Sequence, residues 1–172
     1  MPTPVGHALA GFAIAGLAAS QNPVSIRQLV FLTGCAVAPD LDLVLKLVDG
    51  ANHHRGASHS VGAVVLVGVV VALLRRLKVD VPAAQWASAA WASHLLLDFF
   101  GVDTSPPFGE MALWPLSQAF YISPVSVFYD VPRSFTTAAM MHNLTAVLIE
   151  LLIMAPLAIL CWRIPRRGTL KP

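Results

Sequence analysis

Residues 53–60 read His53-His54-Arg55-Gly56-Ala57-Ser58-His59-Ser60. Three imidazoles, a guanidinium and two hydroxyls stand side by side here, between long apolar runs. The chain around them is 56% hydrophobic and only 12% charged, with a mean hydropathy of +0.70. A soluble domain carries about 25% charged residues. Charge is also kept out of the long runs, which is the signature of a chain dissolved in lipid. A polar octet in such a chain has to be sheltered by groups elsewhere that face it. The candidates are His7, the pair Asp40 and Asp42, the pair His94 and Asp98, and Glu150.

Five apolar segments frame these residues: Pro4–Ser20, Ser25–Val48, Ser58–Leu77, Pro82–Phe100 and Ala138–Trp162. Their interiors lack the alternation of barrel strands and suit helices, which satisfy their own backbone in lipid. Gln21-Asn22-Pro23, Asp49-Gly50-Ala51-Asn52 and Lys78-Val79-Asp80-Val81-Pro82 break the runs. The expected fold is all-α: one integral membrane domain over residues 1–172, with about five transmembrane helices. The stretch 101–137, rich in proline and aromatics, is too long for a plain turn and reads as an interfacial loop. The first twenty residues end in Ala18-Ala19-Ser20 like a signal peptide but begin without a Lys or Arg, so a retained helix is expected.

With five spans, Arg27, Arg75, Arg76, Lys78, Arg163, Arg166, Arg167 and Lys171 collect on one side, and Lys46, Arg55 and Arg133 on the other. The positive-inside bias then places the N-terminus outside and the C-terminus in the cytoplasm. At 1.5 Å per residue, His7, Asp40, His59, His94 and Glu150 all fall about 18–24 Å from the cytoplasmic boundary. In a hydrocarbon core of about 30 Å that is a single layer in its outer half. Ionisable groups at such depth are expensive and should face one another or water.

Each constellation has a chemical reading and a plainer one. His94 and Asp98 are four residues apart, on one helix face, as two ligands of one metal or as an internal hydrogen bond. Pro39 cannot donate its backbone bond, so it opens the helix and lets Asp40 and Asp42 turn into a common cavity. The plainer reading of those acids is a solvated helix end with Asp42 paired to Lys46. His54 and His59 with carboxylates form an ordinary set for zinc, which also accommodates manganese or iron. Arg55 suits a phosphate or carboxylate gripped by two parallel hydrogen bonds. Ser58 fits a helix N-cap. Glu150, a lone acid in mid-helix, must be protonated or paired, and serves as a ligand, a general base, or a partner of Arg55 or a histidine.

Other classes are disfavoured. A net charge of +2 with scattered basic residues gives no nucleic-acid footprint. Cys35 and Cys161 lie apart in apolar segments and read as buried hydrophobes.

The run from His54 to Ser60 resembles the His-Arg-x-x-Thr/Ser-His-Ser block of the bacterial membrane-bound metal-dependent hydrolases, also described as LexA-binding, inner-membrane-associated hydrolases. His7, Pro39-Asp40-Leu41-Asp42, the His94–Asp98 pair and the segment Asp103…Gly109…Leu113-Trp114-Pro115 resemble its other blocks in the same order, over roughly residues 1–118. More distantly the pattern is similar to zinc-dependent phospholipase C. The resemblance implies an inner-membrane protein with His7, Asp40, His59, His94 and Asp98 as metal ligands and Asp42 and His54 next in line. Glu150, Arg55 and His54 are then the catalytic candidates. The expected substrate is a phosphoester of a lipid or other amphiphile. The competing expectation is a non-enzymatic scaffold, or a binding partner of a soluble regulator, whose polar layer is structural. A permease is a weaker third, since five helices show no internal repeat.

Overall fold

The structure, a computed structural model, describes residues 1–165. Among these, α1 spans Pro4–Gln21, and α2 (Ile26–Val37) continues through a 3₁₀ turn (Ala38–Leu41) into α3 (Asp42–Asp49). After a second 3₁₀ turn (Ala57–His59) come α4 (Val61–Arg76), α5 (Ala84–Phe99) and α6 (Thr137–Arg163). The described chain is all-helical, with α2 and α3 as one broken helix. Its only β pairing is two isolated bridges in the long loop, Gly101 with Phe128 and Glu110 with Tyr121.

Local sequence sets the ends. The Thr3 hydroxyl accepts from the Val5 amide at the start of α1, and Ser25 with Gln28 forms a reciprocal capping box at the start of α2. The break between α2 and α3 falls at Pro39, which has no amide proton to give. The N-cap of α4 is Ser60, which accepts from the Ala63 amide, and not Ser58 as the sequence suggested. That shift of two residues leaves 57–59 as a turn of their own and frees the Ser58 hydroxyl for another role.

Helix α1 lies at the centre, packed against α2, α5 and α6. Its buried positions are almost all Gly or Ala, which lets backbones approach closely, as membrane helices do. At Gly11 a Cβ would sit 2.7 Å from the Thr33 Cα, so α1 and α2 touch through backbone there. The distribution of polarity is inverted. His7, His59 and His94 are fully buried, while Leu152 is 74% and Val65 59% exposed. Water would penalise that outer surface and lipid does not.

Two segments, Ile26–Asp49 and Thr137–Arg163, are long and apolar enough to cross a membrane. Helices α4 and α5, at 16 residues each, fall short of the usual length of about 20. One end of the bundle gathers the start of α2 and the α4–α5 turn, joined by Gln28 Nε2 donating to Asp80 at 2.8 Å. This is where Arg27, Arg75, Arg76 and Lys78 lie; Arg166, Arg167 and Lys171 fall outside the described residues. At the other end the long loop is fastened over the 53–60 segment. Met111 donates its amide to the Arg55 carbonyl, Val61 to that of Ala112 and Gly62 to that of Trp114, at 2.9–3.0 Å.

Candidate metal centre

Four side chains from three parts of the chain converge at the loop end. Asp40 comes from the turn after α2, His59 from the turn before α4, and His94 and Asp98 from successive turns of α5. One donor atom from each lies within 4.8 Å of the others. His59 Nε2 is 3.7 Å from Asp40 Oδ1 and 3.5 Å from Asp98 Oδ2. His94 Nε2 is 3.6 Å and 3.5 Å from the same two atoms, and 3.0 Å from His59 Nε2. The ligands of a tetrahedral ion bound at about 2.0–2.2 Å stand about 3.3–3.6 Å apart. The separations here suit such an ion.

The orientation of each group agrees. His94 Nδ1 lies 2.7 Å from the Ala36 carbonyl, which can only accept, so Nδ1 carries the proton and Nε2 presents a lone pair. His59 Nδ1 lies 3.0 Å from the Ser58 hydroxyl, which itself donates to Asp42, and 3.1 Å from the Asp42 carboxylate, with the same result. Asp40 Oδ1 and both oxygens of Asp98 are buried without a hydrogen-bond partner. Buried carboxylate oxygens without partners are costly, and a cation would satisfy them.

Beside this cluster, two of the other residues expected at the site, Asp42 and His54, form a second group with His59, their donor atoms within 4.8 Å of one another. Asp42 is its hub, accepting from His54 Nδ1 at 2.8 Å, the Ser58 hydroxyl at 2.6 Å and the Arg55 amide at 3.2 Å as well as facing His59. It does not pair with Lys46. His7 Nε2 is 3.3 Å from Asp98 Oδ1 without hydrogen-bond alignment, and its ring stacks on His94 at 3.7 Å. His7 thus adjoins the four-atom cluster through Asp98.

Arg55 turns to the loop. Its guanidinium pairs with Asp103 and donates to the Ser105 carbonyl at 2.9 Å. Arg55 has φ +64°, a left-handed conformation uncommon outside glycine, held by contacts of its amide, carbonyl and guanidinium together. Glu150 accepts from the Thr3 amide at 2.6 Å, the Gly6 amide at 2.9 Å and the Thr3 hydroxyl. A carboxylate at the start of α1 also meets the positive end of that helix. A Cβ at Gly6 would come within 2.9 Å of Glu150 Oε2, so glycine is what admits the acid. His142, not assigned to the site, pairs with Asp130 at 2.9 Å.

Three participants escaped the sequence reading: the Ala36 carbonyl, Asp103 as the partner of Arg55, and Glu110. Glu110 is 3% exposed, with one carboxylate oxygen unpartnered. Burial, with the nearby charge of Asp98 adding to it, pushes its carboxyl up to about 9. A backbone carbonyl has no side-chain signature. Asp103 stood within a recognisable block and its link to Arg55 is a contact across 48 residues.

A family model described as YdjM inner membrane protein matches residues 1–169. The chain belongs to the YdjM inner membrane protein family. No curated protein and no solved structure matches it. The family and the two apolar helices agree on a membrane location. The family description names no hydrolase and no phospholipase C, so the comparisons support only the membrane-associated part of the expected resemblance.

Proposed function

We propose that this inner-membrane protein holds a divalent cation at Asp40, His59, His94 and Asp98 and hydrolyses a phosphoester of a lipid or other amphiphilic substrate. The observation that carries the reading is the set of four lone-pair donors within 4.8 Å of one another, two of them imidazoles whose Nε2 atoms face the carboxylates at 3.5–3.7 Å. Two imidazoles and two carboxylates suit zinc, and also accommodate manganese or iron. When bound, such an ion polarises a phosphoryl oxygen and lowers the pKa of an attached water. Asp42 fixes the ring of His59, and the Ala36 carbonyl fixes that of His94. Arg55 holds the loop over the site through Asp103, and Glu150 secures the helix that carries His7. In this reading all five helical segments cross the membrane, with the N-terminus outside and the site in the outer half of the bilayer.

A second reading has its own observation. The 3.0 Å between His59 Nε2 and His94 Nε2 also fits a shared proton, which would make the layer structural and the protein a scaffold or a partner of a soluble regulator. Metal content by mass spectrometry on detergent-purified protein, with His94→Ala and Asp98→Ala alongside, separates the two. About one bound ion, lost in both variants, supports the metal centre. Equal content in all three proteins removes it.

A further inference from the structure

Beside the candidate centre lies a cavity of about 430 Å³ that none of the four cluster residues lines. One wall is apolar: Leu45 of α3, and Pro107, Met111, Trp114 and Phe120 of the loop. The other wall is polar but carries no cation; among the described residues that line it there is no Lys or Arg. It is formed by Asn52, Gln118, Ser58 and the imidazoles of His53 and His54, with His53 also held by Asp49. His54 is 94% buried, since its exposure is 6%; Nδ1 is committed to Asp42, and Nε2 has no partner. Asp42 also lines the cavity, so an anion would meet a carboxylate there and no Lys or Arg. Leu45 is half exposed and continues outward into Leu41, Val44 and Val48, spaced as one stripe of the α3 surface. The cavity therefore joins a neutral hydrogen-bonding end to an apolar track.

We propose that this cavity binds the uncharged polyol head of a single-chain amphiphile, whose acyl tail lies along the exposed stripe of α3. Planar amides and an imidazole match hydroxyl groups in both directions of hydrogen bonding, and the indole of Trp114 offers a flat apolar face to the carbon skeleton. His54 Nε2, buried and without a partner, is the hydrogen-bonding atom that ring has left. The inference rests on the cavity and not on the cation.

The test uses the full chain in phosphatidylcholine nanodiscs, prepared without sugar detergents, which would compete. The probe is a monoacylglycerol brominated on its acyl chain, read by quenching of tryptophan fluorescence. Saturable quenching that disappears in Trp114→Phe is expected. Gln118→Leu, at an exposed position that folding tolerates, and His54→Phe should each weaken binding about 10-fold, as loss of one hydrogen bond does. A single-chain lipid with a phosphate head should compete at least 10-fold less well than octyl glucoside. Quenching that does not saturate, persists in Trp114→Phe, or is displaced equally by the phosphate lipid overturns the proposal. Metal content measured on the same nanodiscs reports on the cation reading separately, so either can fail alone.

Discussion

His59 and His94 bring their Nε2 atoms to 3.0 Å, and the Nδ1 atom of each faces an acceptor, Asp42 for one and the Ala36 carbonyl for the other. Two lone pairs at that distance repel unless a proton or a metal ion lies between them. The centre is therefore sensitive to what stands behind the imidazoles as well as to the imidazoles themselves.

Asp42→Asn keeps the shape of the hub but loses the charge that four donors face. We expect metal affinity to fall about 10–100-fold, as on loss of a group that orients a ligand. His59→Ala should abolish binding. Competition with a chelator of known affinity measures both, and equal affinity in Asp42→Asn and the parent would contradict the assignment.

Glu150→Ala leaves the Thr3 and Gly6 amides unpaired at the buried start of α1. The expected cost is about 1–3 kcal/mol for each orphaned group, read as a lowered Tm in detergent. Metal bound per folded molecule should stay at the parental level. A fall in metal content with stability intact would instead make Glu150 part of the centre.

Arg55→Ala leaves Asp103, 6% exposed at its side chain, with only the Ser105 and Gly109 amides, and removes one anchor of the loop. Breaking a buried pair from one side costs about 3–5 kcal/mol. Limited proteolysis should cut within residues 101–137 much faster in the variant. Restoring the parental rate with the apolar pair Arg55→Met and Asp103→Leu would show that the anchoring contact, not its charge, matters.

Glu110 has its folded-state pKa raised from 4.5 to about 9. The folded form holds a proton that the unfolded chain releases, so stability declines as pH rises from about 4.5 to about 9 and levels off above. Glu110→Gln removes that slope and should raise Tm at pH 8 relative to the parent. Identical Tm–pH profiles from pH 5 to 9 would show that the acid is not held protonated.

Much of this was legible from residue type and spacing. Long apolar runs located the helices to within a few residues, because lipid tolerates little else. Matched depths brought Asp40, His59, His94 and Asp98 together without any coordinates, since a rise of about 1.5 Å per residue fixes height along a helix. Azimuth was less accessible. Height alone placed Glu150 with the four cluster residues, yet its side chain turns to the first turn of α1. Arg55 likewise looked available to a substrate, because nothing local announces a partner 48 positions later in a loop. Ser58 and Ser60 are equally good caps by type, and only the packing of the loop on α4 chooses between them.

The contact between Glu150 and Thr3 joins positions 147 apart in sequence. The helix bearing His7 leaves the ribosome well before the acid that fastens it. Fastening of α1 thus waits for α6, and a nascent chain arrested before α6 would carry His7 into the bilayer on a helix whose start is unsecured.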